Sequence, residues 1–328
     1  MASNSFQERL EAAKGYAQSP RDPELEKMLA IPTRDPSFTS MAMVTYPDAA
    51  GSVTKPGPLV VLFHPGGFFL GSPNKLITYA RPLARLFGAS VLCPSYRFAP
   101  EHPFPTGVQD AWDTLQWAAA HASTRLSADP ERRGFLVGGI SGGANFAVVL
   151  TRRAVETGLQ PPITGTWAPI FMGLSANGGG DEDENRRLPS EYSGLLRSHE
   201  DQDQALVIDK VKVWIMWDYY RPKVLLLFFN FLAAPLDDLA AMPRVALQVA
   251  GHDLFRDDGL LLAHVLSDYG VELRLDVYLG VCHSFWVFAP ELTLSKKFVR
   301  DVVISFAWLL DVELETLEAD CYEAPFAL

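Results

Sequence analysis

The sequence predicts an α/β fold: a mostly parallel central sheet flanked by helices and carrying a helical cap. Three observations predict it. Short apolar runs bounded by turn residues alternate with stretches of helical period, the pattern of βαβ units. Residues 173–235 break that alternation late in the chain, as an insertion above a sheet would. Gly139-Ile-Ser-Gly-Gly143 stands between an apolar run and a helical run, where a strand would turn sharply into a helix. With 328 residues the chain suits one large domain, 1–328, with a cap contributed by about 1–40 and 173–233.

The elements follow in order. Ser5 to Ala17 reads as an amphipathic helix, because Ser5 and Glu8 form a capping-box pair and Phe6, Leu10, Ala13 and Ala17 share a face. A linker punctuated by Pro20, Pro23, Pro32 and Pro36 follows. Leu59–Phe63, Ala89–Cys93, Gly134–Gly138 and Val245–Ala250 are continuous apolar runs, as expected of strands buried on both faces. Leu273–Leu279 alternates and reads as another strand, and Gly165–Met172 is a weaker candidate. Val108, Ala111, Trp112, Leu115, Ala119 and Ala122 lie on one helix face; a second helix opens near Gly142 and ends about Gly158, a residue suited to a helix C-terminus. Val299, Val302, Val303, Phe306, Leu309 and Leu310 mark an amphipathic C-terminal helix.

Composition narrows the function classes. Hydrophobic residues make up 48% and charged residues 20%, enough for a sizeable core. A net charge of −11 without a basic run argues against nucleic acid as partner. Cys93, Cys282 and Cys321 show no paired framework, and the polar start of the chain lacks the apolar core of a secretory leader, so a cytoplasmic protein is expected. The most apolar run, Val224–Ala234, is too short for a span of ~20 residues. The seven histidines have no metal-ligand spacing, and the Asp181–Glu184 run lacks the alternating ligands of a calcium loop, so no metal and no cofactor are expected.

The chemistry-bearing residues sit at strand ends. In the Gly139–Gly143 pattern, the turn would force Ser141 into strained geometry and lift its hydroxyl above the sheet, with the N–H of Gly142 at the positive end of the following helix. A serine hydroxyl needs a base. His283, just after the last strand candidate, is placed to be that base, and Asp253, immediately after the strand Val245–Ala250, to orient it; the order Ser, Asp, His fits. Asp257 and Asp258 compete for that role but read as the first turn of the next helix. His64-Pro-Gly-Gly-Phe-Phe69 follows Leu59–Phe63. Pro65 has no N–H, so Gly66 and Gly67 are the oxyanion donors there, and His64 reads as a residue that pins the loop.

These motifs, with Pro94-Ser-Tyr-Arg-Phe-Ala-Pro-Glu-His-Pro-Phe-Pro105 and Gly251-His-Asp-Leu-Phe-Arg-Asp-Asp-Gly259, resemble the hormone-sensitive-lipase-like branch of the α/β-hydrolases from about residue 57 to 310. The resemblance implies a carboxylesterase with nucleophile Ser141, acid Asp253, base His283 and oxyanion donors Gly66, Gly67 and Gly142. It also implies a cap from the N-terminal segment and the late insertion, and a structural role for the loop Tyr96–Pro105. The chain departs from the family where Pro65 replaces the first glycine of His-Gly-Gly-Gly, Ile140 replaces an aspartate, and Gly142 replaces a frequent alanine. The cap and C-terminal half are also similar to fungal members of secondary-metabolite pathways, such as versiconal-acetate-type esterases.

The expected reaction is cleavage of a small-to-medium, mostly apolar carboxylic ester through an acyl-enzyme. Phe68, Phe69 and Trp286 flank the catalytic loops, and Trp214, Trp217 and Tyr220 lie in an aromatic cap segment, so these six are the expected pocket residues; packing within the cap would use the same side chains. A dehydratase, lyase or cyclase on the same frame, or a small-molecule receptor resembling the plant gibberellin receptors, remains the alternative. The oligomeric state is open, a homodimer included.

Overall fold

The computed structural model describes residues 26–47, 55–173, 194–201, 205–222, 230–232 and 236–313. Among them an eight-stranded sheet runs β1 (Glu26–Pro32), β2 (Thr39–Thr45), β4 (Ser90–Pro94), β3 (Leu59–Phe63), β5 (Phe135–Gly139), β6 (Gly165–Pro169), β7 (Arg244–Ala250), β8 (Leu273–Tyr278). From β4 to β8 every pairing is parallel, and β1 and β2 are antiparallel additions at one edge.

The strands are apolar on both sides because both sides are covered. Leu59, Val61 and Phe63 of β3 belong to one core and Val60 and Leu62 to the other, the two-residue period of a strand. The first core packs under helices α2 (Thr106–Arg125), α3 (Gly142–Thr157) and α5 (Arg256–Asp268). The second packs under α1 (Ile77–Phe87) and α6 (Thr293–Leu309). Helix α4 (Lys210–Tyr220) belongs to the insertion and buries Val213, Met216, Trp217 and Tyr220, an i, i+3, i+4, i+7 stripe.

Strands β3 to β8, α2, α3 and α6 lie where the sequence places them, within a few residues. The stretch from Glu26 to about residue 40 does not: read as proline-punctuated linker and cap, it forms β1 and the start of β2, which runs on to Thr45. Prolines favour an edge strand as readily as a linker, since Pro32 ends β1 on the rim of the sheet, where a missing N–H costs nothing. A buried ion pair, Arg81 Nε to Glu26 Oε1 at 2.5 Å, ties β1 to α1. The expected helix Ser5–Ala17, the loop Gly178–Glu184, Cys321 and most of Val224–Ala234 lie outside the described residues. No helix among the described residues is long and apolar enough to cross a membrane.

The consequence for chemistry is directional. Parallel strands place all their carboxyl ends on one edge, so the loops after β3, β5, β7 and β8 converge there.

Candidate active site

The turn from β5 into α3 is built by close approach. A Cβ on Gly143 would lie 2.1 Å from the Phe63 carbonyl oxygen, and one on Gly139 2.2 Å from that of Gly143, so only glycine lets strand and helix pass. Ser141, between them, is forced to φ +57°, ψ −116°. That conformation is unfavourable for a side-chain-bearing residue and is held by Ser141 N donating to Pro169 O (3.3 Å) and Asn145 N to Ser141 O (3.1 Å).

The loops after β7 and β8 are laced together. Gly251 N donates to Tyr278 O (2.8 Å) and His252 N to Val281 O (2.9 Å), which fixes Asp253 opposite His283. His283 Nδ1 lies 2.6 Å from Asp253 Oδ2, and His283 Nε2 lies 3.0 Å from Ser141 Oγ. Asp253 Oδ1 accepts the N–H of Phe255 at 3.1 Å. All three side chains are nearly closed to solvent, at 4% exposure for Ser141, 1% for Asp253 and 4% for His283. With Nδ1 carrying the proton, Nε2 is free to accept that of the serine.

Asp257 and Asp258 stand in the first turn of α5. Asp257 Oδ2 accepts the N–H groups of Arg197 (2.8 Å) and Ser198 (2.6 Å), and Asp258 Oδ1 that of Gly173 (2.9 Å). These bonds tie the insertion to α5.

The loop after β3 turns on Gly66 (φ +138°) and Gly67 (φ +57°). It abuts the start of α3, since a Cβ on Gly142 would sit 3.3 Å from Gly67 N. None of the N–H groups of Gly66, Gly67 and Gly142 donates to an acceptor among the described residues. Three backbone donors beside a hydroxyl nucleophile could receive an oxyanion. His64 is fully buried, stacks on Tyr96 (4.3 Å between centroids) and lies 2.9 Å by its Nδ1 from Pro65 O. Burial lowers its pKa to about 4, and the positive charge of Lys75 pushes the same way, so it stays neutral as a brace. Arg97, in the loop Tyr96–Pro105, pairs with Asp110 at 2.7 Å.

A cavity of about 580 Å³ opens over Ser141 and His283. Of the six expected pocket residues Phe69 and Trp286 line it, beside Gly66 and Gly67 and together with Ile140, Ile215, Met216, Val287 and Phe288. Four expected pocket residues do not. Phe68 and Tyr220 are buried behind the wall, stacked at 4.0 Å between centroids, and Trp217 is buried beside them. Trp214 is 53% exposed on the outer side of α4. The helical turn explains this: with Trp217 and Tyr220 facing the core, Trp214 is carried outward, and Ile215 and Met216 meet the cavity.

Three contributors have no sequence motif. Met172 places its sulfur 3.4 Å from Ser141 Oγ, three residues beyond the end of β6. Tyr79 lines the cavity and accepts the indole N–H of Trp286 at 2.8 Å. Lys75 lines it from the short turn Pro73–Leu76. The only signal for Met172 was its place at a strand's carboxyl end. Among the described residues no group of three His, Cys, Asp or Glu side chains could hold a metal ion.

Comparison with known proteins adds the following. The sequence profile of a family described as the alpha/beta hydrolase fold matches residues 60–287. An AB hydrolase superfamily protein of Schizosaccharomyces pombe is 32% identical over 302 residues, covering 92% of this chain and 84% of that one. A carboxylesterase of Mycobacterium tuberculosis is 31% identical over 237 residues, covering 71% and 67%. Among solved structures, vibralactone cyclase superposes with a TM-score of 0.80 over 95% of this chain and 90% of its own, at 23% identity, a likeness of fold.

Proposed function

The chain belongs to the α/β-hydrolase fold family, and from that membership we propose that it is a serine carboxylesterase acting on small-to-medium, mostly apolar esters. The observation that carries the reading is the hydrogen-bonded chain Ser141–His283–Asp253 at the floor of an apolar cavity. The carboxylesterase relative supports the same reading.

In this mechanism Ser141 Oγ attacks the ester carbonyl carbon as its proton passes to His283 Nε2. Asp253 holds the imidazole in the needed tautomer and stabilises the imidazolium. The N–H groups of Gly66, Gly67 and Gly142 receive the oxyanion. As the tetrahedral species collapses, the leaving alkoxide takes the proton from His283 and an acyl–Ser141 ester remains. Water, deprotonated by His283, attacks that ester. The carboxylic acid departs and Ser141 recovers its proton. No metal or organic group takes part. The secondary-metabolite setting and the cytoplasmic location are expectations drawn from the sequence.

The experiment is hydrolysis of p-nitrophenyl acetate, butyrate and octanoate by wild type and Ser141→Ala. Turnover by wild type and a fall in kcat of ~10⁴-fold or more in the variant are expected. Inactivity of wild type on all three, with no labelling of Ser141 by a fluorophosphonate, would sink the reading and favour a non-hydrolytic enzyme or a receptor.

A further inference from the structure

Charge is distributed unevenly between the molecule and its cavity. The chain carries 39 acidic and 28 basic residues, for a net −11. Yet no aspartate or glutamate lines the cavity among the described residues, and the cationic side chains that do are Lys75 and Lys212. An acidic protein repels anions on average, whereas the wall of this cavity presents ammonium groups and no carboxylate among the described residues.

The two lysines differ. Lys212 is already engaged, 2.6 Å from Oδ2 of Asp209, the N-cap of α4. Lys75 forms no ion pair among the described residues. It lies just past the loop that carries Gly66 and Gly67, held by its backbone N–H on Ser72 O at 3.1 Å, and Tyr79 lines the same cavity. Lys75 is an exposed residue, so its ammonium keeps its water and attracts an anion with the modest strength of a surface charge.

We propose that the cavity takes an ester bearing one carboxylate on an otherwise apolar body, with Lys75 meeting that carboxylate and Lys212 reinforcing it. This specificity rests on the esterase reading, and it makes Lys75 a specificity-determining residue rather than a catalytic one. One ammonium matches one carboxylate charge, and the remaining wall matches hydrocarbon or aromatic surface.

The test compares acid esters with neutral partners. Mono-p-nitrophenyl suberate against p-nitrophenyl octanoate puts the carboxylate on the acyl side. 4-Acetoxybenzoate against methyl 4-acetoxybenzoate puts it on the leaving group. The readout is the ratio of kcat/KM, acid to neutral, in wild type and in Lys75→Gln and Lys212→Gln. Each ester's intrinsic reactivity and the folded fraction of each preparation cancel in that comparison. Lys75→Gln is expected to lower the ratio by about three- to fivefold on at least one pair, and Lys212→Gln by less. Raising salt to about 0.5 M should lower the wild-type ratio in the same direction. A ratio unmoved by Lys75→Gln on both pairs overturns the proposal, while Ser141-dependent turnover of the neutral esters would leave the esterase reading intact. Should no ester turn over, calorimetric titration with 4-phenylbutyrate decides: binding weakened by Lys75→Gln supports acid recognition without esterase activity, and absent or unchanged binding overturns it.

Discussion

Gly66 is the residue on which the proposed oxyanion site turns. Its φ is +138°, and a Cβ there would lie 1.8 Å from the Leu70 carbonyl oxygen, a backbone atom that cannot rotate aside. The same short loop uses Gly66 O to receive the N–H groups of Phe69 (3.2 Å) and Leu70 (3.1 Å). Gly66→Ala must therefore shift the loop and carry the Gly66 and Gly67 donors with it. We expect kcat to fall by ~10²–10³-fold with KM changed far less, because the donors act on the transition state. Steady-state kinetics on p-nitrophenyl butyrate checks this, and an equal loss in KM would place the defect in ground-state binding. Pro65, by contrast, has no N–H to offer; its carbonyl lies on His64 Nδ1 and the residue lines the cavity. At this scale much was legible: Ser141, Asp253 and His283 each stand at a strand end and meet in the structure. Met172 was not legible, because its approach to Ser141 depends on how the chain leaves β6, a path that no local pattern encodes.

Between elements, the insertion is fastened to the first turn of α5. Asp257 receives two backbone N–H groups from residues 197 and 198, Ser198 Oγ donates back to Leu254 O at 2.5 Å, and Arg256 Nε pairs with Asp257 Oδ1 at 2.7 Å. Burial pushes the Asp257 carboxyl up, but Arg256 and the N–H groups of Ser198 and Arg197 outweigh it and hold its pKa below the ordinary carboxylate value. A depressed folded pKa means that the stabilisation is present above the unfolded value of about 4 and is lost as pH falls through the lower folded one. Asp257→Asn should therefore cost about 1–3 kcal/mol at neutral pH and flatten the loss of stability on the acid side. Thermal unfolding across that pH range measures both, and an unchanged acid limb would show that the clamp does not titrate. The aromatic segment of α4 is the element where sequence misled: Trp214, Trp217 and Tyr220 read as a pocket because composition marks a helix as apolar without saying which side faces the cavity. The pair β1–β2 was missed for a related reason, as strands at a rim carry mixed exposure and prolines and lack the continuous apolar signature of β3 to β5.

Across the whole molecule, the half of the sheet that carries Asp253 and His283 is bound through its interior by one polar chain. Trp167 Nε1 on β6 donates to Gln248 Oε1 on β7 at 2.9 Å, Gln248 Nε2 donates to the Tyr278 hydroxyl on β8 at 2.8 Å, and that hydroxyl donates to Asp301 Oδ2 on α6 at 2.7 Å. Lys297 completes it against Asp301. Gln248 is fully buried inside a strand that the sequence marks as apolar, and its partners, the Phe298 carbonyl among them, lie 81, 30 and 50 residues away, so the run Val245–Ala250 discloses the strand but not its ties. Gln248→Leu keeps the volume and orphans the Trp167 indole N–H within the core. Leaving such a donor unsatisfied costs about 1–3 kcal/mol, whereas removing both partners together costs less. Denaturant unfolding of Gln248→Leu, Trp167→Phe and the double variant should therefore give a coupling of about 1 kcal/mol or more. Because the chain lies within the core while the reacting groups stand on loops beyond the strand ends, kcat per folded enzyme should stay near wild type. Additive losses would mean that the chain contributes only packing. A large fall in kcat would mean that it also sets the distance between Asp253 and His283, and that the reacting edge depends on the interior of the sheet as well as on the loops that lace it.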